Sequence, residues 1–124
     1  MKEMIQSNNA PSAIGPYSQA LMTKDLVFVS GQLPVNPENG LVPDSIEEQT
    51  TQSLKNINAI LESVGLNLDS TVKTTVYMSD LTEFTAMNAV YSEFFNEPYP
   101  ARACVQVARL PKDVKVEIEA IACR

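Results

Sequence analysis

The chain has 124 residues, 44% of them hydrophobic and 19% charged, enough to bury a real apolar core in one domain spanning 1–124 and too few for two independent cores. Nine basic residues against fifteen acidic ones leave a net charge of −6, which argues against the broad basic grip that phosphate backbones need, so nucleic acid is not an expected partner. With no histidine and only two cysteines, Cys104 and Cys123, the chain lacks the ligand sets of the usual zinc, haem and non-haem iron sites and every Ser-His-Asp or Cys-His arrangement; any metal would be a hard ion held by carboxylates.

No apolar run approaches the roughly 20 residues of a membrane-spanning helix, and Met1-Lys2-Glu3-Met4 lacks the apolar core of a secretory signal. A soluble cytoplasmic protein is the expectation. Tyr17 to Thr23 and Leu26 to Gly31 flank Lys24-Asp25, a polar pair suited to a tight turn, and predict an antiparallel hairpin. The stretch from Pro34 to Pro43 holds three prolines and Asn39-Gly40, which favours an ordered loop over helix or central strand. Ser45-Ile46-Glu47-Glu48 has the capping-box form, with Glu48 expected to reach back to the cap amide. Ile46, Leu54, Ile57, Leu61 and Val64 then fall on one helical face with Thr50 filling a gap, and Gly65 supplies a left-handed stop.

Thr71 to Met78 is rich in β-branched residues and predicts a strand half-buried on a sheet. Asp80-Leu81-Thr82-Glu83 repeats the capping-box form ahead of Phe84, Met87, Tyr91 and Phe94 or Phe95, a second amphipathic helix. After the break at Asn96-Glu97-Pro98, Ala101 to Ala108 and Val114 to Ala122 read as a second hairpin-like pair around Leu110-Pro111-Lys112-Asp113. The order ββαβαββ points to an α+β fold, a mixed sheet with both helices on one face. The other face would carry apolar side chains into water, so burial against copies of the same chain is expected.

Arg102 opens an apolar strand, where an inward guanidinium needs an anion. It either pairs with a carboxylate of the protein or grips the carboxylate of a ligand through its planar fork. By strand parity Cys104 shares its face. Glu117 and Glu119, two apart, share one face of the last strand, either as its wet side or as a carboxylate that holds a water and relays its proton. Ile14-Gly15-Pro16-Tyr17 sets a tyrosine past a rigid turn, and Ser30-Gly31-Gln32 ends a strand with a hydroxyl and a main chain a ligand could approach; ordinary turn chemistry explains both equally. Both cysteines sit in apolar segments as small hydrophobes, and a disulfide is not favoured.

Taken together, AIGPYSQA at 13–20, SGQLPVNPENG at 30–40, KTTVYMSDL at 73–81 and PARACVQVARLPKDVKVEIEAIA at 100–122 closely resemble the RidA (YjgF) family over nearly the whole chain. The resemblance implies a chorismate-mutase-like homotrimer with ligand clefts between subunits. It implies hydrolysis of 2-aminoacrylate, 2-iminopropanoate and related enamines and imines to 2-oxo acids and ammonia, with neither metal nor cofactor. Carried over by position, Arg102 binds the substrate carboxylate and Glu117 places the hydrolytic water. Tyr17, Ser30, Gly31, Asn88 and Cys104 line the cleft, Cys104 more through its main chain than its thiol. Two rival readings stand beside this: a ribonuclease, as some relatives have been described, and a noncatalytic module that binds small acids. The acidic balance and missing histidine oppose the first.

Overall fold

The computed structural model describes residues 1–124. Strands β1 (Glu3–Ile5), β2 (Ala20–Met22), β3 (Leu26–Gln32), β4 (Thr71–Met78), β5 (Ala101–Gln106) and β6 (Val116–Cys123) alternate with helices α1 (Ile46–Glu62), between β3 and β4, and α2 (Phe84–Phe94), between β4 and β5. All six strands form one sheet in the order β1-β2-β3-β6-β4-β5, antiparallel throughout except for β4 beside β5. The class is α+β, as the pattern of apolar residues requires.

Helix α1 forms because its apolar residues recur at helical spacing and both ends are capped. Ser45 Oγ accepts from the Glu48 amide at 3.1 Å, and at the far end Gly65, at φ +77°, and Leu66 return their amides to Glu62 and Leu61 at 3.1 and 3.0 Å. The reciprocal half of the box differs from expectation: Ser45 Oγ donates to the Glu48 carboxylate at 3.0 Å, so the acid closes on the cap's side chain. Leu54, Ile57, Ile60 and Leu61 are fully buried on α1, against Val27, Val76, Met78, Val116 and Ile118 of the sheet and Met87 of α2. Thr50, also fully buried, bonds back to the Ile46 carbonyl at 2.8 Å, which is why a hydroxyl fits the gap in the apolar stripe.

Cross-strand register sorts every side chain to one of two faces. Ala20, Val29, Ala120, Thr74 and Arg102 follow one another across β2, β3, β6, β4 and β5 on the helix-covered face, where Tyr91 of α2 meets Thr74 at 2.7 Å. One residue along, Met4, Leu21, Phe28, Ile121, Lys73 and Ala101 run edge to edge across the opposite face. No element of the chain covers that face: Met4 is 65% exposed, Phe28 43% and Val105 43%.

The predicted positions hold for α1, α2, β3 and β4, and 34–43 is a loop tied by the Asn36 amide to the Leu41 carbonyl at 2.9 Å. The second hairpin is overturned. β5 lies parallel to β4 at the edge of the sheet, and β6 crosses to the centre between β3 and β4. Between β3 and β4 the strand pairs along both edges and buries Val116, Ile118, Ala120 and Ala122 beneath the helices, a choice local turn chemistry cannot reveal. The box at Asp80 also differs: its carboxylate takes the Thr82 amide and hydroxyl at 2.9 and 2.7 Å, a single 3-10 turn fills Leu81–Glu83, and α2 starts without a side-chain cap. Strand β1 has no counterpart among the expected elements, β2 is shorter than Tyr17 to Thr23, and Cys123 is exposed. Both cysteines are free thiols.

Leu54→Ala should lower stability by about 2–5 kcal/mol, since Leu54 is fully buried in the core and the cavity it leaves cannot collapse fully. Urea unfolding followed by circular dichroism measures this as a lower midpoint with an unchanged slope.

Candidate active site

Two groups of polar side chains stand out, one on each face. The first lies where the edge strand β5 meets α2. Arg102 Nη1 donates to Asn88 Oδ1 at 2.8 Å, and its guanidinium carbon stands 4.7 Å from the centre of the Tyr91 ring and 5.6 Å from that of Phe84. The aromatic faces attract the cation and the amide fixes its plane. The chain's two side-chain ion pairs are Arg109 with Asp113 and Lys115 with Glu83; Arg102 pairs with no carboxylate of its own chain. The guanidinium is solvent-exposed, so the burial that would have forced an internal partner does not arise.

Cys104 follows on the same face, opposite Val76. Burial pushes its thiol up, and the Arg102 charge only partly opposes that, so at neutral pH it is a thiol and a poor nucleophile. Edge position leaves one side of the β5 backbone free to meet a ligand, which suits the expectation that Cys104 acts through its main chain.

The second group lies on the face without helices. Glu117 sits opposite Tyr77, and Glu119 opposite Thr75, on adjacent antiparallel strands. The Glu117 side chain crosses the β3 backbone at Gly31 so closely that a Cβ there would run into its carboxylate. Any side chain at 31 would have to push the flexible end of Glu117 aside, so glycine suits the position through space and not through an unusual φ. Burial, then the Glu119 charge, pushes the Glu117 carboxyl above the usual range, the direction a proton-transferring acid near neutrality needs.

Ser30 Oγ donates to the Ser18 carbonyl at 2.6 Å and the Ser30 amide to the Gln19 carbonyl at 2.9 Å, so the serine pins the segment that carries Tyr17. Tyr17 borders a groove of about 780 Å³ with Ser30, Thr75 and Glu119, and a cleft of about 420 Å³ with Gly31 and Gln32.

Within one chain, therefore, Arg102, Asn88 and Cys104 come together, and Glu117, Gly31, Ser30 and Tyr17 come together, but the two sets face opposite ways. Sequence reasoning missed Phe84 and Tyr91 beneath the guanidinium, and Tyr77 and Thr75 beside the carboxylates. Phe84 and Tyr91 read as core positions of a helix, and only the parallel placement of β5 brings Arg102 over them. Tyr77 and Thr75 were legible as one face of β4, but their neighbours follow from the β4–β6 register.

A family model described as Endoribonuclease L-PSP matches residues 7–124. A protein of Escherichia coli named 2-iminobutanoate/2-iminopropanoate deaminase is 52% identical over 127 aligned positions, covering 100% of this chain and 99% of that one. A RutC family protein of Pyrococcus horikoshii is 52% identical over 98% of both chains. Among solved structures, Escherichia coli TdcF with bound serine superposes with a TM-score of 0.94 at 49% identity, over 98% of both chains. The YjgF gene product of Escherichia coli gives a TM-score of 0.94 at 51% identity, again over 98% of each.

Gly31→Ala should cost about 1–3 kcal/mol, because Glu117 must be displaced from β3, and Gly31→Ala with Glu117→Ala should recover most of that loss. Thermal unfolding of the single and double variants reads the cycle. A second expectation concerns Glu117 itself. Its folded-state pKa is raised, so the native state holds a proton the unfolded chain has lost, and stability falls as pH climbs from the ordinary carboxylate range through the raised value. Glu117→Gln should therefore raise Tm at neutral pH, with the gain shrinking as the buffer is acidified.

Proposed function

The chain belongs to the Endoribonuclease L-PSP family, the RidA or YjgF group, and we propose that it is a 2-iminobutanoate/2-iminopropanoate deaminase working as a homotrimer in the cytoplasm. The observation that carries this reading is the Arg102 fork: cationic, held in plane by Asn88, stacked on Tyr91, and without a carboxylate partner in its own chain. A small 2-imino acid supplies the missing anion. The bound serine in the TdcF structure is a molecule of that size with the same carboxylate.

Because Arg102 and Glu117 occupy opposite faces, one cleft needs Arg102 from one protomer and Glu117 from the next. The exposed apolar face of the sheet favours such an assembly, since Met4, Phe28 and Val105 leave water when copies pack there. In that cleft Arg102 takes the substrate carboxylate through two parallel N–H donors. The imine carbon is already electrophilic, so positioning does most of the work. Glu117 orients a water and takes its proton as oxygen bonds to the imine carbon and the C=N pair moves to nitrogen; passed on to that nitrogen, the proton completes a carbinolamine. Glu117 then takes the carbinolamine's hydroxyl proton and delivers it to nitrogen as C=O forms and the C–N bond breaks, so ammonia leaves with the 2-oxo acid behind. Tyr17, Ser30 and Gly31 shape the wall on the Glu117 side, and the Cys104 main chain borders the carboxylate. Neither metal nor cofactor is called for in these steps.

A ribonuclease reading, suggested by the family's description, finds little here: the net charge is −6, histidine is absent, and Arg109 is closed onto Asp113 at 2.6 Å.

Arg102→Ala should leave the unfolding free energy within about 1 kcal/mol of the parent's, since Arg102 itself is exposed, yet reduce 2-iminopropanoate hydrolysis to the uncatalysed rate. A threonine or serine dehydratase coupled to the protein, with 2-oxo-acid release followed by absorbance, measures it; turnover at the parent rate would remove the clamp. Mixed oligomers test the shared cleft. Arg102→Ala and Glu117→Gln are each expected to be inactive, and random reassembly at equal amounts should restore about one quarter of the parent's sites, because each intact cleft takes one good residue from each neighbour. A cleft built within one chain would give no recovery.

A further inference from the structure

Arg102 shares its side of β5 with Cys104 and Gln106, which stand opposite Val76 and Met78 of β4. Cys104 packs against the core. Gln106 reaches another element: its Oε1 accepts the Leu81 amide at 2.8 Å and so ties the edge strand to the 3-10 turn that leads into α2. That amide is the first of the turn and has no hydrogen bond within it, whereas the next two are met by Asp80, Thr82 at the carboxylate and Glu83 at the carbonyl. Helix α2 has no side-chain cap of its own. Its leading end is held by the Asp80 turn, by Gln106 and by the Lys115–Glu83 pair at 3.4 Å, and of these only Gln106 belongs to the strand that carries Arg102.

The same helix meets the same strand a second time, where Arg102 Nη1 donates to Asn88 Oδ1 at 2.8 Å. From Gln106 back to Arg102 the strand spans about 13 Å, and from Leu81 on to Asn88 the 3-10 turn and the first α turn span about 12 Å. The two lengths agree, so the pair of bonds seats the first half of α2 along β5, running opposite to the strand. The end of β5 is itself fixed, since the Val107 amide donates to the Met78 carbonyl at 2.9 Å. We propose that Gln106 is a positioning residue for the carboxylate clamp: by holding Leu81 it fixes where α2 stands on β5, and hence where the Asn88 side chain meets Arg102. This rests on the role given to Arg102 above.

Asn88 has to hold the guanidinium against a charge. In the shared cleft Arg102 of one protomer faces the adjoining protomer's Glu117, an anion towards which the fork turns when no substrate is bound. Within its own chain the rings of Tyr91 and Phe84 attract the cation through their faces and leave its in-plane direction open. The paired carboxylates of the chain are engaged elsewhere, Asp113 with Arg109 and Glu83 with Lys115. The directional bond to Asn88 is the contact that sets the fork. If α2 slides on β5, the fork turns to the adjoining Glu117, and a substrate carboxylate binds more weakly because it must first turn the fork back. Substrate and transition state both carry that carboxylate, so the loss appears in KM and leaves kcat unchanged.

The test uses the intact oligomer and two readouts, initial rates of 2-iminopropanoate hydrolysis and the affinity for 2-oxobutanoate by calorimetry. Gln106→Met keeps the length of the side chain and removes the acceptor. KM and the 2-oxobutanoate Kd should both rise about two- to tenfold, the span of one neutral hydrogen bond, with kcat and Tm at the parent's values. Gln106→Glu keeps an acceptor oxygen and should behave as the parent does. Asn88→Ala should raise KM as well, and adding Gln106→Met to it should change nothing further, because the glutamine acts only through Asn88. A Gln106→Met protein with the parent's KM and Kd, a Gln106→Glu protein as impaired as Gln106→Met, fold-changes that multiply in the double variant, or a loss confined to kcat each overturns the proposal. The deaminase reading fails separately: a parent that binds 2-oxobutanoate without hydrolysing the imine would sink it, while the cycle in Kd would still decide the part of Gln106. If Arg102→Ala keeps the parent's Kd, the clamp fails and the role of Gln106 falls with it.

Discussion

A strand shows successive side chains to opposite faces of its sheet, and in this protein that parity separates the two groups the proposed chemistry calls for. Arg102 lies in line with Thr74 and Ala120 on the helix-covered side; Glu117 lies in line with Tyr77 on the other. No rotamer of either side chain brings guanidinium and carboxylate together through a hydrogen-bonded sheet. A cleft that uses both must draw them from two copies, and the same parity gathers Met4, Leu21, Phe28 and Ile121 into an apolar ladder on the side of Glu117. The proposed association and the proposed catalysis thus share one geometric origin.

Around that constraint the buried polar groups act as ties. Gln19 accepts from the Ser7 amide at 2.7 Å and donates to the Pro11 carbonyl at 2.7 Å, fastening the segment before Tyr17. Asn56 on α1 donates to the carbonyls of Leu33 and Val35, both at 3.0 Å, and Gln49 links the Pro43 carbonyl to the Lys115 amide at 2.8 Å each. These side chains satisfy loop main chain that would otherwise be buried unpaired. They also hold the ends of β3 and β6, hence Gly31 and Glu117, at a fixed height over the core.

The electrostatics follow from having no histidine. A group that moves protons near neutrality has to be made from a residue whose ordinary range lies elsewhere, and Glu117 is moved in the needed direction by burial and by Glu119. Burial also leaves Cys104 protonated, so the thiol beside Arg102 does not compete as a nucleophile.

Much of this was legible in the chain. Apolar spacing determined both helices and a capping serine the start of α1, alternation determined β4, and the pattern AIGPYSQA, SGQLPVNPENG and PARACVQVARLPKDVKVEIEAIA pointed to the family, with Arg102, Glu117, Tyr17, Ser30, Gly31, Asn88 and Cys104 as its candidate site. Those signals are local, or carried by residue identity, and survive without coordinates. Tertiary structure decided the rest. Whether β6 pairs with β5 or slips between β3 and β4 depends on which neighbours pair its two edges and bury its apolar face, a comparison of distant segments that turn residues do not encode. That choice put Arg102 on the helix side above Tyr91, set Tyr77 and Glu119 around Glu117, and made a glycine at 31 a matter of space. Sequence names the candidate groups, whereas only the pairing of strands says which of them can meet.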